Sequence, residues 1–168
     1  MAEYVEVNRK RVISIAVIAV LVIILIAFGS RMFITIQAGH GGVIFRTFSG
    51  GVDQDKVYSE GFHLIAPWNK MIVYETRQQE IAETMNVLSS NGLEIACDVS
   101  AWYEPNKSDM PMLHSNIGTD YLRRVVIPSL RSSARSVIGR YTPEQIYSTK
   151  RDAIQEEIYE ETKKILDD

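Results

Sequence analysis

The sequence predicts an α+β fold carried behind one apolar N-terminal helix, and three observations predict it. Residues 12–30 contain no charged side chain. Leu93–Tyr103 alternates apolar and polar residues with period two, the signature of a half-buried strand. Leu122, Val126, Leu130, Ala134 and Ile138 recur every four residues, which describes the buried stripe of a helix. The implied order is a membrane helix, then antiparallel strands, then packed helices.

The helix is predicted first. Thirteen of the seventeen residues in Val12–Phe28 are Val, Ile, Leu or Phe: Val12, Ile13, Ile15, Val17, Ile18, Val20, Leu21, Val22, Ile23, Ile24, Leu25, Ile26 and Phe28. As a helix they would cover about 26 Å, and continuing to Ile36 would exceed the roughly 30 Å of a bilayer's hydrocarbon. No polar stripe interrupts them, as it would in a core helix of a small domain. The expected anchor is therefore 12–36, behind a charged head at 1–11. A cleaved signal peptide is the rival reading, with Arg9-Lys10-Arg11 as its basic start and Ala27-Phe28-Gly29 as a small-x-small site. The apolar run is at the long end for one. Arg9, Lys10 and Arg11 together outweigh Arg31 and Arg46 beyond the span, so the N-terminus is expected in the cytoplasm, or its organellar equivalent, with the main domain across the membrane.

Gly39-His40-Gly41-Gly42 reads as part of a flexible joint at 37–42. Strands are predicted at Val43–Phe48, Met71–Arg77 and Ile81–Val87, with a bend or edge position at Pro67. Asn91-Gly92 is a hairpin signal. In Leu93–Tyr103, Leu93, Ile95, Cys97, Val99, Ala101 and Tyr103 share the buried face, so Cys97 reads as an inert core thiol. This mainly β part occupies 43–105. A helical part follows at 106–168. Pro128 should kink its first helix, and Gly139 should end it. Thr142-Pro143-Glu144-Gln145 is a capping signal for the last helix, which would carry a seam of Tyr147, Ile154, Ile158 and Ile165.

Chemistry is excluded more readily than assigned. Eighteen Lys and Arg against 21 Asp and Glu give a formal net charge of −3, which lacks the basic footprint of a nucleic-acid binder. One cysteine excludes an intrachain disulfide. His40, His63 and His114 lack metal-ligand spacing, the Gly-His-Gly-Gly run lacks the Gly-x-Ser-x-Gly nucleophile motif that would make it an oxyanion loop, and no phosphate-cradling glycine loop occurs. Catalytic, cofactor and metal sites are therefore all expected to be absent. Arg124, Arg131 and Arg135 lie at helical spacing, and the last helix is acidic, with Glu156, Glu157 and Glu160 among its residues. The plain reading is two solvated faces with local pairs such as Glu160–Lys164. The functional one is complementary surfaces between subunits. Phe62 and Trp68 flank Pro67, as core aromatics or as rings at the membrane surface.

Several segments together resemble the prohibitin branch of the SPFH (band 7) family. They are Gly42-Val43-Ile44-Phe45, Glu60-Gly61-Phe62-His63-Leu64-Ile65-Ala66-Pro67-Trp68, Asn91-Gly92-Leu93, Ile117-Gly118-Thr119-Asp120-Tyr121, Ile127-Pro128-Ser129-Leu130-Arg131 and Val137-Ile138-Gly139-Arg140-Tyr141-Thr142. The resemblance runs over 10–166. It implies a single transmembrane helix followed by an SPFH-like domain in a membrane-anchored, non-catalytic scaffold. Such scaffolds form large homo-oligomeric rings or domes on the bilayer, beside membrane AAA proteases, in membrane-protein quality control. The alternative is a monomeric anchored adaptor with one partner. The family continues into a long coiled coil, so 106–168 reads as a helical part cut short.

Overall fold

The computed structural model describes residues 9–148 and 150–167; within its first helix, side chains are described for 12–23, 29 and 31–32. The chain divides into two compact units, Met1–Tyr74 and Glu75–Asp168.

The first unit opens with α1, Arg9–Met32. Each large apolar side chain described along it, from Val12 to Ile23, is exposed, so no protein core accounts for its composition. Among the described residues no helix is long and apolar enough to cross a membrane. The unbroken run with described side chains, 12–23, covers about 18 Å against roughly 30 Å of hydrocarbon. Ile24, Leu25, Ile26 and Phe28, expected in the anchor, have side chains outside the described residues, as do Arg9, Lys10 and Arg11. Most of the charged head, 1–8, lies outside them altogether. The expected extent of the helix is also corrected: it stops at Met32, and Phe33–Ile36 forms strand β1. All four of those residues are aromatic or β-branched, and they pair with β4 (Gly61–Leu64) in the register Phe33↔Leu64 to Ile36↔Gly61.

Of the joint expected at 37–42, only 37–39 is a turn; the rest is strand. His40–Arg46 is strand β2, flanked by β3 (Gly51–Val52) and β5 (Lys70–Glu75) in one sheet. Gly42 exchanges both backbone hydrogen bonds with Tyr58, at 2.7 and 2.8 Å. A Cβ at Gly42 would stand 2.6 Å from Ile36 Cδ1 and from Met71 Sδ, so the glycine serves close packing. Ile36, Val43, Ile44, Ile65 and Tyr74 are the buried hydrophobic side chains of this unit among the described residues.

In the second unit β6 (Gln79–Leu88) and β7 (Glu94–Tyr103) pair antiparallel over their full lengths, Gln79↔Tyr103 to Leu88↔Glu94. The alternation read in the sequence is seen in burial: Ile95 is buried and Cys97, Val99, Ala101 and Tyr103 are half-buried. Leu93 instead falls in the connecting loop and is exposed. That loop turns through Gly92 at φ 80, where Ser89 N–H donates to Leu93 O at 2.9 Å.

A short helix α2, Met110–Asn116, follows β7 and was not foreseen; the fully buried Met110 holds it down. The kink expected at Pro128 is replaced by a π-turn, Leu122–Val126, leading into α3, Ile127–Ile138. Ile127 N–H reaches back five residues to Leu122 O. The wider turn ends where Pro128, with no N–H to donate, takes a first-turn position of α3. The Thr142–Gln145 capping box forms, with Thr142 N–H donating to Gln145 Oε1 at 3.0 Å. It opens only the short α4, Pro143–Tyr147; the terminal helix α5 is separate, Arg151–Asp167. The predicted seam is accordingly divided: Ile154 and Ile158 are buried, whereas Tyr147 and Ile165 are exposed. Met85 and Val87 of β6, Leu130, Ala134, Val137 and Ile138 of α3, and Ile154 and Ile158 of α5 make one core.

Candidate interaction surfaces

Two surfaces, one apolar and one charged, stand out. The apolar one is the outer face of the β1–β4 ribbon. Side chains alternate across a strand, so Phe33 and Thr35 share a face with their partners Leu64 and Phe62. Phe33, Phe62 and Leu64 are 57%, 64% and 62% exposed, and the two rings stack with centroids 5.8 Å apart. Nearby in sequence, Trp68 is 55% exposed and lies 6.0 Å, centroid to centroid, from the exposed Phe48. Thr47 fixes that corner: its hydroxyl donates to Trp68 O, and its N–H donates to Asn69 Oδ1 at 3.4 Å. The core reading of Phe62 and Trp68 is thus corrected; both rings point outward because their own strand and turn present them so. Phe33, Leu64 and Phe48 were missed. The i, i+2 spacing of Phe62 and Leu64 was a usable signal, since it puts both on one side of any strand.

The charged surface lies on the helices. Arg131 turns back onto the sheet, where Nε and Nη2 donate to Glu83 Oε2 at 3.0 and 2.5 Å. The Glu83 side chain is 15% exposed and that of Arg131 47%. Glu83 sits between Ile81 and Met85 on the core-facing side of β6, so the pair satisfies a carboxylate that packing draws inward. Arg140 bonds Glu161 and lies 3.6 Å from Glu157, whose Oε1 accepts the Tyr141 hydroxyl proton at 2.5 Å. That hydrogen bond to Glu157, with some desolvation, raises the Tyr141 pKa. Among the expected subunit contacts, then, Arg131 and Glu157 are engaged within the chain. Arg124 reaches Asp120 only at 4.0 Å. Arg135, Glu156 and Glu160 are exposed and form no ion pair among the described residues.

The residues considered for chemistry are occupied otherwise. His63 Nε2–H donates to Ser59 O at 2.7 Å, and His40 Nδ1 is 3.3 Å from Ala38 O. Cys97 Sγ–H points at Met85 O, 3.5 Å away; burial, then the Asp98 charge, push its thiol pKa up, the opposite of an activated nucleophile. Among the described residues no group of His, Cys, Asp or Glu could hold a metal ion.

The described chain thus runs from an apolar helix through a two-stranded ribbon and a long hairpin to packed helices. Residues 34–168 match the model of the SPFH domain / Band 7 family, and the chain belongs to that family. Within it the similarity is to the prohibitin branch. The chain is 26% identical over 151 residues to Prohibitin-2 of Mus musculus, covering 85% of this chain and 50% of that protein. It is 25% identical over 124 residues to Prohibitin-1, mitochondrial, of Arabidopsis thaliana, covering 73% and 42%. Prohibitin-2 of Dictyostelium discoideum is 24% identical over 127 residues, 75% and 42%. The chain thus spans about half the length of the curated relatives it matches.

Proposed function

We propose that this chain is a membrane-held, non-catalytic scaffold subunit that assembles with copies of itself into a ring-like or dome-like complex. The observation that carries the membrane part is α1, whose large apolar side chains from Val12 to Ile23 are all exposed. A helix of that kind has no aqueous solvent to suit it. Its backbone runs for 24 residues, about 36 Å at 1.5 Å per residue, and the sequence stays apolar through Phe28. The helix serves as a single-pass anchor, N-terminus on the cytoplasmic side, in a plasma- or inner-membrane setting.

The ribbon face of Phe33, Phe62 and Leu64 begins one residue after α1 ends, so it lies at headgroup depth, with Trp68 as a further interfacial ring. Inserting three such side chains, each already some three-fifths exposed, contributes on the order of 3–5 kcal/mol to membrane affinity. Scaffold action follows from family membership together with the absence of any activated side chain among the described residues. The partners this reading assigns are the bilayer, further copies of the chain and a membrane AAA protease of the quality-control type.

The test is extraction and sizing of the full chain expressed in membranes. The protein is expected to stay with vesicles at alkaline pH and to sediment in mild detergent as a high-mass species. Release at alkaline pH would overturn the anchor. A one-to-one complex with a single foreign protein, in place of self-association, would favour the monomeric adaptor.

A further inference from the structure

The Glu75–Asp168 unit leaves two charged stripes unneutralised. On α5, Asp152, Glu156 and Glu160 stand at i, i+4 and i+8, all exposed. Like charges at that spacing repel along the helix. The neighbouring acids Glu157 and Glu161 are engaged by Arg140, but no cation pairs with these three among the described residues.

The second stripe depends on the π-turn. In an unbroken α-helix Arg124 would align with Arg131, seven residues or about two turns on. The extra residue in the turn Leu122–Val126 rotates what precedes it by about 100°. Arg123 is therefore brought into line with Arg131 and Arg135. The exposure pattern agrees: 123, 124, 128, 131, 132, 135 and 136 are exposed while 125 to 127 are half-buried. Glu83 takes up Arg131; Arg123 and Arg135 keep their charge unpaired among the described residues.

We propose that the Asp152–Glu156–Glu160 stripe of one copy docks on the Arg123–Arg135 stripe of the next, a head-to-tail contact. This rests on the self-assembling reading above and gives it a polarity. A second copy is the occupant because the chain carries both complements and pairs neither internally. Contact between unlike patches is heterologous, so each copy offers a free patch to the following one, and the series closes as a ring when the rotation per contact divides a full turn. Charge at such a contact sets direction, register and encounter rate more than bulk affinity.

The experiment uses the full chain in detergent-solubilised membranes, sized by sedimentation at low and high salt. R123E/R135E and E156K/E160K are each expected to cut the high-mass fraction roughly tenfold at fixed concentration, and the fourfold combination is expected to restore it. The neutral pair R135Q/E156Q should weaken assembly less and flatten its salt dependence. All four positions are exposed, and unchanged thermal melts show that each variant folds. Wild-type sedimentation of both double reversals, or no recovery in the fourfold variant, overturns this contact and leaves the scaffold reading standing. A wild-type chain that never self-associates sinks both.

Discussion

The Arg131–Glu83 pair makes a sharp energetic prediction, because its two ends sit in different surroundings. Arg131→Met keeps most of the apolar stem and removes the guanidinium. Glu83, 15% exposed on the core side of β6, is then left with a carboxylate that no cation faces. A fully buried broken pair costs about 3–5 kcal/mol and an exposed one about 0–1 kcal/mol. With one partner mostly buried and the other half-exposed, about 2 kcal/mol is expected for the single change. Replacing both ends, Glu83→Leu with Arg131→Met, removes the stranded charge and should return stability to within about 1 kcal/mol of wild type. The chain has two tryptophans, so a Trp68→Phe background leaves Trp102 on β7 as the reporter. Thermal unfolding followed by its fluorescence should show a loss of about 8–16 °C for Arg131→Met, at roughly 4–8 °C per kcal/mol for a unit of this size. The reasoning fails if Arg131→Met moves the midpoint by less than about 2 °C, or if the double variant is no more stable than the single one.

Further outcomes follow from the same packing. Gly42→Ala should destabilise by about 1–3 kcal/mol, since its Cβ meets Ile36 Cδ1 and Met71 Sδ at 2.6 Å; trimming the sulfur arm with Met71→Ala in the same chain should recover part of the loss in a denaturant titration. Ser133 is fully buried and its Oγ lacks a hydrogen-bond partner among the described residues, so Ser133→Ala should be neutral or stabilising by up to about 1 kcal/mol. Glu144 has its pKa lowered by its own backbone N–H and then by the Thr142 hydroxyl. Because the folded value is the lower one, its contribution is present above about 4.5 and is lost as pH falls through the folded value. Thr142→Ala should raise the carboxyl midpoint in an NMR titration and shrink that acid-side loss. The Cys97 thiol, pushed up by burial and Asp98, should react slowly with a disulfide reagent at pH 8 and rapidly once urea unfolds the chain.

What could be read in advance depended on how local its cause was. The β7 alternation and the Thr142 capping box are set by neighbours in sequence, and both appear where their residues put them. The end of α1 could not be read that way. Phe33–Ile36 is as apolar as the helix before it, and only pairing with β4, some thirty residues on, makes it a strand. Gly39-His40-Gly41-Gly42 looked like slack chain because glycine's small size signals either freedom or crowding, and here Ile36 and Met71 supply the crowding. Pro128 forecast a disturbance in the helix but not its form, since a kink and a π-turn answer the same missing donor. At the surfaces, residue type alone left Arg135 and Arg131 indistinguishable. Glu83, 48 residues distant in the chain, separates them.

The junction at Met32 has a mechanical consequence. Helix gives way to paired strand with no intervening residue, and Ile65 N–H clamps Met32 O at 2.9 Å. A rod joined so tightly to a sheet cannot swivel freely: tilting or twisting α1 loads the β1–β4 hydrogen bonds directly. Four glycines inserted after Met32 would uncouple the two, and the orientation of the β1–β4 ribbon would then cease to follow the helix.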